Sequence, residues 1–167
     1  VKGNIELNDV SFRYQPSVPY VLGNLNLKIR SGEYIAIVGR TGCGKSTLAH
    51  CINGLIPASY EGKSTGKLTV AGQDAQSLGL FGLSKIVGTV LQDSDGQFIG
   101  LTVAEDIAFA LENDCVEREE MHRKVRETAR VVGVEQVLHH APHEISGGQK
   151  QRVGLGGVMV GQVDVLL

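Results

Sequence analysis

The nine residues GRTGCGKST, at 39–47, constrain the fold of this chain more than any other stretch. They fit the pattern G-x-x-x-x-G-K-[ST] in full, with Gly39, Gly44, Lys45 and Ser46 at its fixed positions. Arg40, Thr41, Gly42 and Cys43 fill the variable positions, and Thr47 follows. The residues before the loop, YIAIV at 34–38, form a continuous apolar run of the kind that makes a central strand buried on both faces. The residues after it, KSTLAHCIN at 45–53, suit a helix closed by Gly54. A strand, a glycine turn and a helix in that order build an anion nest. Backbone N–H groups turn inward, and the positive end of the helix aims at the same point. Lys45 then supplies the charge that neutralises β- and γ-phosphates, and the Ser46 hydroxyl is a ligand for Mg²⁺. The spacing is not G-x-G-x-x-G, so the loop is no dinucleotide fingerprint. Cys43 is read as a small residue that fits the loop rather than as a redox-sensitive thiol.

The rest of the chain must supply a sheet and a core around this loop. IELNDVSFRY at 5–14 alternates apolar and polar residues, as a half-buried antiparallel strand does. Leu25, Leu27 and Ile29 alternate likewise, KLTVAG at 67–72 reads as a short strand, and IVGTVLQ at 86–92 as a buried one. Then the period changes. Thr102 and Glu105 make a capping box before VAEDIAFALEN. In 117–132, Met121, Val125, Ala129 and Val132 share one helical face, Glu119/Arg123 and Glu120/Lys124 stand four apart on the outside, and Gly133 ends the segment. A strand returns at 163–167. With 167 residues, 42% of them hydrophobic, the chain can bury one sizeable core.

Several function classes fall away on composition. The net charge of −2 gives no basic field for nucleic acid or an anionic membrane, and aromatic residues at 5% with no Trp give no base-stacking surface. No apolar run approaches the length of a membrane-spanning helix. Cys43, Cys51 and Cys115 form no CxxC pair and read as reduced thiols. His139, His140 and His143 lack the spacing of a zinc site and read as a solvated loop.

A second stretch, HEISGGQKQRV at 143–153, also suits an anion. Ser146 can N-cap a helix, and Gly147 and Gly148 expose backbone N–H groups with no side chain in the way. A glycine pair at a helix start lowers helix stability, so either it is a plain loop-to-helix junction or something approaches the backbone closely. Pattern alone leaves the two readings even.

ISGGQKQRV resembles the signature sequence of ATP-binding cassette (ABC) ATPases, usually written LSGGQ, with Ile145 in place of the leucine. Taken with the phosphate loop, this resemblance covers essentially the whole chain. It implies an α/β fold: a P-loop NTPase core with an N-terminal antiparallel β subdomain and an inserted helical subdomain. The corresponding division is 1–92 and 153–167 for the core and 93–152 for the helical signature subdomain. It further implies that Tyr14 stacks on adenine and that Gln92 contacts Mg²⁺ and senses a transmembrane partner. Ser146, Gly147, Gly148 and Gln149 close on the nucleotide of another subunit. Lys45, Gln92 and Ser146 are thereby the expected catalytic residues, with ATP and Mg²⁺ as cofactors. The glycines of VGLGGVMVG at 153–161 lower the intrinsic stability of the helix that follows the signature.

LQDSDGQFIGLTVAEDIAFALEN at 91–113 looks most like the energy-coupling factor branch, whose ATPases drive uptake of vitamins or of cobalt and nickel. The implied partners are a second ABC ATPase subunit, identical or paralogous, and an integral membrane subunit contacted near residues 92–104, with no nucleic acid. The implied place is the cytoplasmic face of the membrane. In this family the strand entered by VDVLL at 163–167 ends in Asp-Glu, the pair that holds Mg²⁺ and polarises the attacking water. The chain starts at Val1 and stops within that run, so it is expected to be a fragment that binds ATP weakly and hydrolyses it poorly, if at all. Rival readings are a nucleotide-binding module without hydrolysis and a non-transport ABC ATPase of DNA repair or translation. DNA-repair ATPases carry long coiled coils between the two motifs, whereas here roughly a hundred residues separate Lys45 from Ser146, without heptads.

Overall fold

The computed structural model describes residues 3–91, 96 and 98–167. The expected site residue Gln92 lies outside them. The chain divides into two compact units, Val1–Gly88 with Val163–Leu167, and Thr89–Gln162.

The first unit is α/β. Strands β1 (Ile5–Arg13), β2 (Leu22–Ile29), β3 (Lys63–Val70) and β4 (Gln73–Asp74) form an antiparallel sheet in the order β2-β1-β3-β4. Alternation in β1 puts Ile5 and Leu7 on the core face. An irregularity at residues 8–11 then shifts the register and brings Val10 and Phe12 inward. Gly66 of β3, at φ +85°, lies against this irregularity, where a side chain would collide with the Asp9 carbonyl. Helices α1 (Lys45–Ile52) and α3 (Ala75–Ser84), with a single turn α2 (Leu55–Ala58), pack Leu48, Cys51, Ile52, Ile56 and Leu83 into the same core. Strands β5 (Val87–Gly88) and β6 (Val165–Leu166) pair in parallel, and the Gly3 amide donates to Asp164 O at 2.8 Å beside them.

One expectation fails in this unit and a second is met in part. Residues 34–38 are not a strand, and Tyr34 and Val38 are 99% and 87% exposed. A parallel strand buried on both faces exists only between neighbours, and no described strand pairs with this run. The strand expected at 86–92 forms at 87–88, where β5 pairs with β6, and its last residue, Gln92, lies outside the described residues. Helix α3 was not anticipated. Its start is set by Asp74, whose carboxylate accepts from the Ser77 amide at 2.9 Å, and Gly79 at φ +62° interrupts it, which masks the apolar period.

The second unit is helical: α4 (Val103–Asn113), α5 (Arg118–Val132) and α6 (Gly147–Met159). The Thr102–Glu105 capping box starts α4, Glu117 caps α5, and Gly133 in the left-handed region ends it. Val125, Ala129 and Val132 bury the expected face of α5, with Met121 packed partly against it. On its outer face Arg123 pairs with Glu120 and Glu127 rather than with Glu119. The reason is geometric, since its guanidinium meets Glu120 with two N–H groups and still reaches Glu127. The glycine-rich α6 is a full helix of 13 residues. Gly156 lies between Val132 and Ile107, and packing of α6 against the other two helices offsets the poor propensity of its glycines. Helix α6 runs through the boundary expected at 152/153.

Candidate nucleotide site

Residues 39–44 form the turn that enters α1. Gly42 and Gly44 stand at φ +83° and +94°, and α1 has no side-chain cap, so its first amides face the turn. Lys45 Nζ donates to Gly39 O and Arg40 O, both at 2.9 Å, and lies 3.7 Å from Cys43 Sγ. The Cys43 amide donates to Arg40 O at 3.3 Å, while Arg40, Thr41, Gly42 and Cys43 are exposed. Ser46, at the second position of α1, is exposed, and Thr47 is buried. An ammonium folded over a ring of backbone groups at an uncapped helix start is an arrangement that fits a polyanion. An oxygen-bearing hydroxyl beside it suits a hard divalent cation.

Tyr14 comes to this loop from the end of β1. Its hydroxyl shares a hydrogen bond with Thr47 Oγ1 at 3.0 Å, and its ring stands edge-on to Phe12 at 4.9 Å. The segment after it also touches the loop, because a side chain at Gly44 would meet the Val21 carbonyl at 3.1 Å. Nothing in the local sequence marks Val21 for this place. Only the hairpin register, with Phe12 opposite Leu22 and the Val21 amide donating to Phe12 O at 2.8 Å, puts it there.

The signature stretch belongs to the second unit. Ser146 caps α6: its Oγ accepts from the Gln149 amide at 3.3 Å, and its own amide donates to Gln149 Oε1 at 2.8 Å. Ile145 before it is buried in the helical core. Gly147 and Gly148 are exposed and lack positive φ, and a side chain built on either meets nothing within 4 Å. Neither backbone conformation nor crowding within the described residues requires glycine at these two positions.

A separate apolar cavity of about 260 Å³ is lined by Val10, Cys51, Ile56, Leu68, Leu80 and Leu83, among others, and by no residue of 39–47. Its lining does not suit a polyanion. Burial pushes the Cys51 thiol up to about 11.

Comparison with known proteins bears on this arrangement. The family model described as ABC transporter matches residues 22–167. An ABC transporter ATP-binding protein of Enterococcus faecalis is 55% identical over 163 residues, 98% of this chain and 29% of that protein. One of Streptococcus mutans is 50% identical over 167 residues, 100% of this chain and 30% of that protein. The chain therefore spans about three tenths of the length of these relatives. Among solved structures, cbiO1 of Clostridium perfringens, part of the ABC transporter complex cbiONQ, superposes with a TM-score of 0.87 at 27% identity. That match covers 99% of this chain and 64% of that one. A bacterial Atm1-family ABC exporter with ATP bound superposes with a TM-score of 0.77 at 25% identity, over 99% of this chain and 29% of that one. The P-loop fold, the match to the family model and identity of half or more along nearly the whole chain lead to one conclusion: the chain belongs to the ABC transporter family, as an ATP-binding domain.

Proposed function

We propose that this chain is the ATP-binding part of an importer of the energy-coupling factor kind, coupling ATP binding and hydrolysis to uptake of a vitamin or a transition-metal ion. The observation that carries the nucleotide part is the phosphate loop, with its two left-handed glycines, uncapped helix start and folded-back Lys45. When ATP binds, its phosphates displace the Gly39 and Arg40 carbonyls from Lys45. Backbone amides of residues 40–47 would face the phosphates, Ser46 and Gln92 would hold Mg²⁺, whose charge offsets that of the phosphates, and Tyr14 would present a stacking face to the base. Ser146, Gly147, Gly148 and Gln149 close on the nucleotide of a second, identical or paralogous, subunit. The open space around Gly147 and Gly148 supports this, since those glycines become necessary only when a ligand from outside approaches the backbone. An integral membrane subunit meets the chain near residues 92–104, which places the protein on the cytoplasmic face of the membrane.

The direction of transport and the branch rest on the resemblance of residues 91–113 and on the likeness to cbiO1. The exporter likeness supports ATP binding by the same fold. Uptake of labelled cobalt, nickel and water-soluble vitamins into cells lacking the gene tests the reading. A drop in one of these, restored by the intact gene and not by the Lys45→Ala form, is expected. Unchanged uptake of all of them, with export of some compound impaired instead, contradicts the importer reading.

A further inference from the structure

The segment between β1 and β2, residues 14–21, is long for a hairpin connection, contains Pro16 and Pro19, and is held at two points by one side chain. Arg13 Nη1 donates to Pro16 O at 2.8 Å, and the guanidinium carbon lies 5.0 Å from the centre of the Tyr20 ring. One arginine thus grips the start of the loop through a hydrogen bond and its end through a cation–π contact. Its Nε is buried with no hydrogen-bond partner among the described residues. Tyr14, the next residue, leaves the strand with its ring against Phe12 and its hydroxyl on Thr47 of the phosphate loop. The loop's far end rests on Gly44 through Val21. Position 13 therefore governs a segment that is anchored to the phosphate loop at both ends.

We propose that Arg13 is a positioning residue for the base end of the nucleotide: it holds the 14–20 loop and so fixes the stacking face of Tyr14, without touching the phosphates. This rests on the reading of Tyr14 as the base platform. Its consequence is selective. Loss of Arg13 weakens binding of whole nucleotides and leaves binding of the phosphate chain alone unaltered, which a merely structural role for Arg13 does not produce.

The test is equilibrium binding of Mg²⁺-ATP and of Mg²⁺-tripolyphosphate to the full-length protein in wild-type, Arg13→Ala, Arg13→Lys, Tyr20→Ala and Tyr14→Ala forms. Tyr14→Ala is expected to weaken ATP by roughly five- to 150-fold, the range of one base–aromatic stack. Arg13→Ala and Tyr20→Ala are expected to weaken ATP by about three- to tenfold, a part of that range. Tripolyphosphate affinity stays at the wild-type value in all three. Arg13→Lys, which keeps the charge over Tyr20 and one donor for Pro16 O, recovers most of the ATP affinity. Tyr20 is 47% exposed, so its truncation tests the same strut with the fold intact. If Tyr14→Ala weakens ATP while Arg13→Ala and Tyr20→Ala do not, the positioning role is wrong and the platform stands. If Arg13→Ala weakens tripolyphosphate as much as ATP, Arg13 supports the fold only and the proposal is overturned. If Tyr14→Ala leaves ATP affinity unchanged, the platform reading itself fails and the proposal with it.

Discussion

Gly148 is a residue at which the demands of folding and those of the proposed nucleotide contact can be told apart. In the described residues a methyl group there meets nothing within 4 Å, and the backbone is ordinary helix. Gly148→Ala should therefore leave unfolding free energy unchanged or raise it by up to about 1 kcal/mol, the usual gain on removing a helical glycine. If a nucleotide from a second subunit approaches that backbone, the same change lowers steady-state ATP hydrolysis by about tenfold or more. Thermal unfolding and a turnover assay on one preparation check both halves, and lost stability would show that the glycine serves the fold. Cys51 makes a pH prediction in the core. Its thiol titrates near 11 rather than 9.0 because burial disfavours the thiolate. Between those values the unfolded chain has released the proton and the folded chain has kept it, so stability falls as pH rises through the window and is unaffected below it. In Cys51→Ala this part of the slope disappears. Denaturant titrations from pH 8 to 11 on both forms show it, and identical slopes would mean that the thiol is not buried as described.

At the scale of elements, helix ends were the most legible part of the sequence. The Thr102–Glu105 box, the Gly133 stop and the Ser146 cap are local chemistry, written in residues three or four apart, and each stands where its pattern puts it. Thr102→Ala should cost about 1 kcal/mol locally, seen as roughly fivefold faster amide exchange in the first turn of α4. No change there would show that Glu105 alone, or the Val103 and Ala104 amides bonded to residues 138–140, fixes this end. The strands were less legible, for the same physical reason. An apolar run such as 34–38 has no structure of its own until neighbours pair with it, and periodicity cannot supply the neighbours. Helix α3 escaped notice because Gly79 breaks the apolar period that would have announced it. Within the site, the glycines, Lys45 and Ser46 were readable from spacing. The contacts of Val21 and Arg13 depend on hairpin register and were not.

At the scale of the whole molecule, the two motifs fall in different compact units, the phosphate loop in one and the signature in the other, each with its own apolar core. This division gives meaning to the two stretches that we propose bind anions. Each is complete as local structure, and in our reading each needs its counterpart from another subunit to enclose a nucleotide. In that proposal, energy from ATP is expressed as closing and opening of subunits, with the nucleotide favouring the closed state through contacts absent from the open one. All of this depends on triphosphate binding at residues 39–47. Titration of Mg²⁺-ATP into the full-length protein, with Lys45→Ala as the comparison, tests that claim most directly. Saturable binding by the wild type and at least about a tenfold loss in the variant is the expected result, since Lys45 is the cation folded over the loop's backbone. Equal affinity in the two proteins would contradict the account.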